Sequence, residues 1–369
     1  MHWKLRGGWI AALLTVVGCD LHFLPGQVET IQPSGSLAAG TAGPAPVAPP
    51  GAGVTGLVPG SPQVPGEPAL APQPQLASEN LAVPPERLSE TGLFDASSRL
   101  LSLGVESYSP AYELWSDSAD KHRWVSLPPS AQIDTSNMDV WAFPVGTKLW
   151  KQFDRAGRAI ETRYMVKFGP ADADWAMLAY QWNAEGTEAN AVPSGVANAS
   201  GTTHDIPPAA QCHACHNNRP AITLGFSAIQ LSHAGPGVTL DGMAATGRLS
   251  APPTTPVLLP GDAIAQHALG YLHANCGGCH NRSTPFLAGA TRVVFWQSAA
   301  QLASVEQTTT YVDMIASTNG DLATLRHGLD RMRTRSAQQM PPLATEEVDP
   351  LGVALVEAWL RQLSTRPWN

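Results

Sequence analysis

Four of the five cysteines in this 369-residue chain stand in two C-x-x-C-H runs, Cys212-His213-Ala214-Cys215-His216 and Cys276-Gly277-Gly278-Cys279-His280. Two thiols at this spacing can add to the two vinyl groups of one porphyrin, and the adjoining histidine then meets the iron. The pattern predicts two covalently attached haem c groups, held through Cys212 and Cys215 and through Cys276 and Cys279, with His216 and His280 as proximal ligands. Rival chemistries fit less well. Cys215 and Cys276 are too far apart for the short spacing of a zinc ribbon, and neither motif lies in the βαβ context of a thioredoxin-like dithiol. Structural disulfides would leave the two histidines without a role. His213 fills the variable slot between the thiols.

The opposite face of each iron needs its own donor or an open position. Met340, in Met340-Pro341-Pro342 downstream of His280, is the candidate for the second haem, where a thioether would raise the reduction potential relative to a second imidazole. For the first haem, Met243 on a short helix in Leu240-Asp241-Gly242-Met243-Ala244-Ala245 competes with His233. Met165, Met177, His122 and His204 are further candidates from the preceding segment, and an open site is a last alternative.

These groups must be carried by a scaffold, and the sequence changes character near residue 200. Between Leu93 and Asn183, short aromatic and β-branched runs separated by Pro, Gly, Asp and Asn predict strands at 123–127, 140–143, 147–153, 160–168 and 175–182. Downstream, 262–274 reads as a helix leading into the second motif, with Ile264, Ala268, Tyr271 and Leu272 on one face. Asp349 and Pro350 open another, whose apolar positions are Val353, Leu355, Val356, Trp359, Leu360 and Leu363. No long helix leads into the first motif. The fold class expected is α+β: an antiparallel β domain over 86–200, a first haem segment over 201–256, and a mostly α-helical domain with the second haem over 257–369.

The N-terminus reads as an export signal over 1–18. Lys4 and Arg6 precede an apolar run from Trp9 to Val17 that is too short to span a bilayer. Val16-Val17-Gly18-Cys19 is similar to a lipobox, which makes Cys19 the expected lipidation site and the membrane an expected partner, with the chain on the bacterial cell envelope facing the periplasm. A tether rich in Pro, Ala and Gly over 19–85 would then separate anchor and folded region, by roughly 40–45 Å as a flexible coil. The formal net charge of -8 gives no footprint for nucleic acid and favours protein partners with a basic patch.

From the helix before the second motif onward, the chain resembles a class I cytochrome c, which implies that the first and last helices cross with Gly270 or Tyr271 near Trp359. The whole folded region, roughly 88–363, resembles a family of bacterial dihaem c-type cytochromes, many of them lipoproteins. The resemblance rests on 88–94 (LSETGLF), 114–124 (LWSDSADKHRW), 143–147 (FPVGT), 161–163 (ETR), 180–183 (YQWN), both C-x-x-C-H motifs and Met340-Pro341-Pro342. It implies two haem c cofactors, Met340 as distal ligand, and electron transfer with envelope redox partners such as a periplasmic dehydrogenase, a quinol-oxidising complex or a terminal oxidase or reductase. The alternatives are a dihaem peroxidase-like enzyme and a haem gas sensor, each needing one open iron position. The dense charges at Asp117, Asp120, Lys121, His122 and Arg123 read as a turn held by ion pairs that docks the β domain onto the first haem. A carbohydrate cleft is the other reading of that cluster.

Overall fold

The computed structural model describes residues 80–216, 220–283 and 293–366. The signal segment, Cys19 and nearly all of the tether lie outside the described residues. The fold is mixed α+β. Six strands form one antiparallel meander in chain order: β1 (Val105–Ser107), β2 (Asp120–Ser126), β3 (Lys148–Arg155), β4 (Arg158–Lys167), β5 (Trp175–Trp182) and β6 (Ala189–Ala191). Seven α-helices follow among the described residues: α1 (Ala209–His216), α2 (Ala228–Leu231), α3 (Leu240–Ala245), α4 (Ala263–Asn275), α5 (Thr309–Met314), α6 (Ala323–Met332) and α7 (Pro350–Ser364).

Successive side chains on a strand point to opposite faces, so the register divides the sheet into two surfaces. One face carries Trp150 and Tyr164, whose rings stack at 5.6 Å, packed with Leu88 and Leu93 from the segment that precedes the sheet. Trp150 Nε1 donates to Thr91 Oγ1 at 2.9 Å, and Tyr180 donates to the Pro85 carbonyl at 2.8 Å. The other face pairs Val125 with Leu149, Leu149 with Met165 and Met165 with Met177. These residues join a core that also takes in Leu269, Leu272, Val356, Trp359 and Leu363. The sheet and the helices therefore share one apolar interior, to which each fully buried large side chain contributes about 1.5–3 kcal/mol.

The run at 140–143 is not a strand of the sheet. Asp134 and Ala142 form an isolated bridge, and Trp141 and Phe143 turn into the core against Phe226, with centroids at 6.0 and 5.9 Å. Apolar aromatic content alone cannot tell a strand from a buried loop, and Pro144 has no N–H to continue a ladder. The sheet's two outermost strands, β1 and β6, are only three residues long and carry no alternation that a sequence pattern could detect.

The two long helices follow their caps. Asp262 Oδ1 accepts from Ala265 N at 2.9 Å to start α4, and Asp349 Oδ1 accepts from Gly352 N at 2.9 Å to start α7. Asp262 also accepts from Gln362 Nε2 at 2.9 Å, tying the start of α4 to the end of α7. The helices meet where a side chain at Gly352 would come within 2.2 Å of the Tyr271 ring, and one at Gly270 would come within 2.1 Å of Tyr112. Tyr271 thus seats on α7, whereas Gly270 admits the chain entering the sheet.

Candidate functional site

The first motif is itself most of α1. Pro207 and Pro208 lack the N–H groups needed to extend the helix upstream, so it stays at eight residues. His216 Nδ1 lies 2.6 Å from the Ile222 carbonyl. A carbonyl only accepts, so Nδ1 carries a proton toward it, the outer-shell contact made by a ligating histidine. Cys212 is a half-buried free thiol, and burial raises its pKa while Arg163 opposes the rise. α1 packs on β5, beside the Arg163 position of the sheet.

The second motif begins at the C-terminal end of α4, where the Cys276 N–H donates back to the Leu272 carbonyl at 2.9 Å. Burial pushes the Cys276 thiol up to about 12. Buried Asn281 closes the turn by donating to the Gly277 and Gly278 carbonyls at 3.1 and 3.0 Å. The chain then returns past His280, whose carbonyl accepts from Phe295 N at 2.8 Å, and the Phe295 ring stands edge-on to the imidazole at 5.6 Å. Thiols raised by burial are poor nucleophiles and poor dithiol catalysts. Among the described residues, no three His, Cys, Asp or Glu side chains converge as a metal site.

One cavity lies between the sheet, the segment that follows the first motif, and the second motif. Arg123 and Lys151 line it from the sheet, Thr223 and Gly225 from the chain that follows Ile222, and His273 and Gly278 from around the second motif. His273 is buried beside Trp296, with ring centroids 4.6 Å apart, and its Nδ1 accepts from Gln297 N at 3.1 Å. Burial lowers its pKa to about 4, so the ring is neutral and carries its proton on Nε2.

The structure sorts the distal candidates. Met340 lies on the loop between α6 and α7, with its N–H donating to the Arg331 carbonyl at 3.1 Å. On the same loop Arg335 donates through Nη2 to the Met332 carbonyl at 3.2 Å, while its Nε and Nη1 are buried with no partner among the described residues. Such donors suit a carboxylate of a bound porphyrin. Met243 is buried on α3 and lines a separate cavity with Val125 and Phe226. His233 has both ring nitrogens engaged, Nε2 with the Ser109 carbonyl at 2.7 Å and Nδ1 with Gly235 N at 2.9 Å, which leaves neither for iron in this arrangement. His204 is buried against Glu161 at 2.8 Å. His122 occupies the other sheet face, stacked on Trp124 and 3.4 Å from Asp154. Met165 and Met177 are directly opposite each other on the face that bears Arg163.

The charged turn docks, but not onto the first motif. Asp117 accepts from Glu346 N and Glu347 N at 2.9 and 3.0 Å, and Trp115 N donates to Asn275 at 2.7 Å, one residue before Cys276. It is fastened to the second motif's helix and to the loop before α7. Lys121 and Arg123 instead share Glu113, at 3.4 and 3.1 Å. His273, Trp296, the Ile222 carbonyl, Lys151 and Arg163 were not singled out as site residues in the sequence. The alternation in β2, β3 and β4 hints at the last two of these, but only once the strand register is known.

Compared with protein-family models, with curated proteins and with solved structures, the chain matches none.

Proposed function

We propose that the chain is a dihaem c-type cytochrome of the bacterial envelope that passes electrons between redox partners, with a class I cytochrome c-like arrangement around its second motif. The observation that carries this reading is that the second motif, through Gly278, and the segment that follows the first, through Thr223 and Gly225, border one cavity. The bond from His216 Nδ1 to the Ile222 carbonyl supports it further, because it is the outer-shell contact a ligating histidine needs.

A haem bound at each motif would supply reversible one-electron exchange. The chain's own part is to hold and tune. Cys212, Cys215, Cys276 and Cys279 would carry the thioether bonds, and His216 and His280 would present Nε2 to the metal. Met340 would supply the sixth donor at the second site. The apolar core around Leu269, Leu272 and Trp359 excludes water there, while the sheet face beside α1 is charged. Cys19 would be the lipid anchor, and envelope dehydrogenases, quinol-oxidising complexes or terminal reductases the partners.

One observation favours an open position at the first site, and with it peroxidase-like or gas-binding activity: His233 has no nitrogen to spare and Met243 borders a different cavity. Optical and EPR spectra of the haem-loaded protein, with and without carbon monoxide, test both. Two low-spin haems that ignore carbon monoxide are expected for a carrier. A high-spin fraction near half that binds carbon monoxide would replace the carrier reading with the open-site one.

A further inference from the structure

The face of the sheet nearest the first motif carries a row of like charges. Arg123 on β2 is directly opposite Lys151 on β3, and Lys151 is directly opposite Arg163 on β4. Like charges in facing cross-strand positions destabilise a sheet, and these are not spread into solvent, for Arg123 is buried and Lys151 half-buried. Carboxylates answer only part of the charge. Glu113 serves Arg123 and Lys121, and Glu161 is taken up by Arg163 at 2.6 Å and His204 at 2.8 Å. Lys151 has no carboxylate: among the described residues its ammonium meets only the Phe153 ring, 4.8 Å from the centroid. Burial, with Arg123 and Arg163 beside it, pushes its pKa well below the ordinary lysine range. Lys121, Arg123, Lys151 and Arg163 against Glu113 and Glu161 leave two basic groups over on this face.

We infer that the row Arg123, Lys151, Arg163 is an anion seat, and that the two carboxylates of the porphyrin attached at Cys212 and Cys215 fill it. This rests on the dihaem reading above. The placement supports it independently of the charge count. The helix α1 that carries both thiols packs on β5, whose Ala179 is directly opposite Arg163, which puts the cysteine-bound edge of the porphyrin at the β4 end of the row. Arg123 lies two strands further on, about 9–10 Å at the usual strand spacing, which is the width of a porphyrin. The carboxylates leave the ring from the edge opposite the vinyl positions, so they arrive over Arg123 and Lys151. There the cavity offers Thr223, Ser227 and Gln230 as further donors. The same chain, continuing from Ile222, holds His216. A free carboxylate or oxyanion has the same chemistry and is the rival occupant.

The test compares the haem-loaded wild type with Lys151→Gln and Lys151→Arg. Resonance Raman reads the bending modes of the porphyrin carboxylates, and potentiometric titration reads each haem. With the carboxylates seated on the row, Lys151→Gln shifts the carboxylate mode of one haem and lowers one of the two potentials. The expected size is about tenfold in the redox equilibrium, or ~59 mV for one electron, because a seated carboxylate keeps Lys151 protonated and the substitution removes that cation, which favours the reduced state. Lys151→Arg keeps both signals near wild type. A wild-type potential that moves with added formate or phosphate, combined with a Raman mode that Lys151→Gln leaves unchanged, would assign the seat to a free anion and overturn the carboxylate assignment. No change in mode or potential, in a variant that still carries two haems, would overturn the inference while leaving the dihaem reading intact. A wild-type chain with no covalent haem would overturn both.

Discussion

The two C-x-x-C-H segments share two cysteines and a histidine at the same spacing but not an environment. The second is built into helical packing: α4 delivers it, α7 crosses α4 at Tyr271 and Gly352, and Asn281 closes the turn. The first occupies a short helix laid against a sheet whose nearest side chains are ionised or ionisable. The thiols register the difference. Burial takes Cys276 to about 12, whereas at Cys212 the cation of Arg163 works against burial. One attachment chemistry can thus sit in an apolar or a charged surround, and the surround, not the motif, sets how readily each iron would gain an electron.

The sharpest way to separate the two segments is to remove them one at a time. Replacing Cys212 and Cys215 by Ala, or Cys276 and Cys279 by Ala, is expected to halve the pyridine haemochrome absorbance per chain. A complete loss from either pair would mean that the sites are not independent. Met340→Ala should convert only the second haem to a high-spin, carbon monoxide-binding form, visible by EPR as one new high-spin signal. Were both haems to stay low-spin, Met340 would not be the ligand.

Acidity should weaken the second region first. The His273 pKa of about 4 lies below the ~6.5 of an unfolded histidine, so between those values the unfolded chain binds more protons than the folded one. The stability from keeping this ring neutral is complete above about pH 6.5 and is lost as pH falls toward 4, by about 3 kcal/mol in all. Denaturant midpoints at pH 7 and pH 4.5 should show the drop in wild type and a shallower one in His273→Gln. A smaller cost, about 1–3 kcal/mol, is expected for Gly352→Ala, because its Cβ would meet the Tyr271 ring at 2.2 Å. Thermal unfolding that leaves the midpoint unmoved would show that the α4 and α7 contact is more yielding than its geometry. Asp117→Ala strips acceptors from Glu346 N and Glu347 N. It should cost about 1–2 kcal/mol, read as faster amide exchange in the loop before α7 with little change near α1.

Local signals survived into the structure wherever the physics was local. Asp262 and Asp349 cap the helices their positions announced, and Pro350 takes a first-turn place where no N–H is needed. The strands at 120–126, 148–155, 158–167 and 175–182 follow the aromatic and β-branched runs. The run at 140–143 does not, because Trp141 and Phe143 found Phe226 instead of a neighbouring strand. His233 was a candidate distal ligand, yet two backbone groups claim its nitrogens. The turn at Asp117 was read as a dock for the first haem, and it grips the second motif's helix and the loop before α7 instead.

The sequence by itself determined the cysteine and histidine spacing of both motifs, the helix caps, the main strands and the chemistry these residues can support, since each depends on neighbours a few positions away. Tertiary structure alone decided that the second motif and the segment after the first border one cavity, that Ile222 fixes the His216 proton, and that Arg123, Lys151 and Arg163 stand in one row. Those relations depend on strand register and on segments brought together across the core, where the free energy of burial, rather than local propensity, chooses the partner.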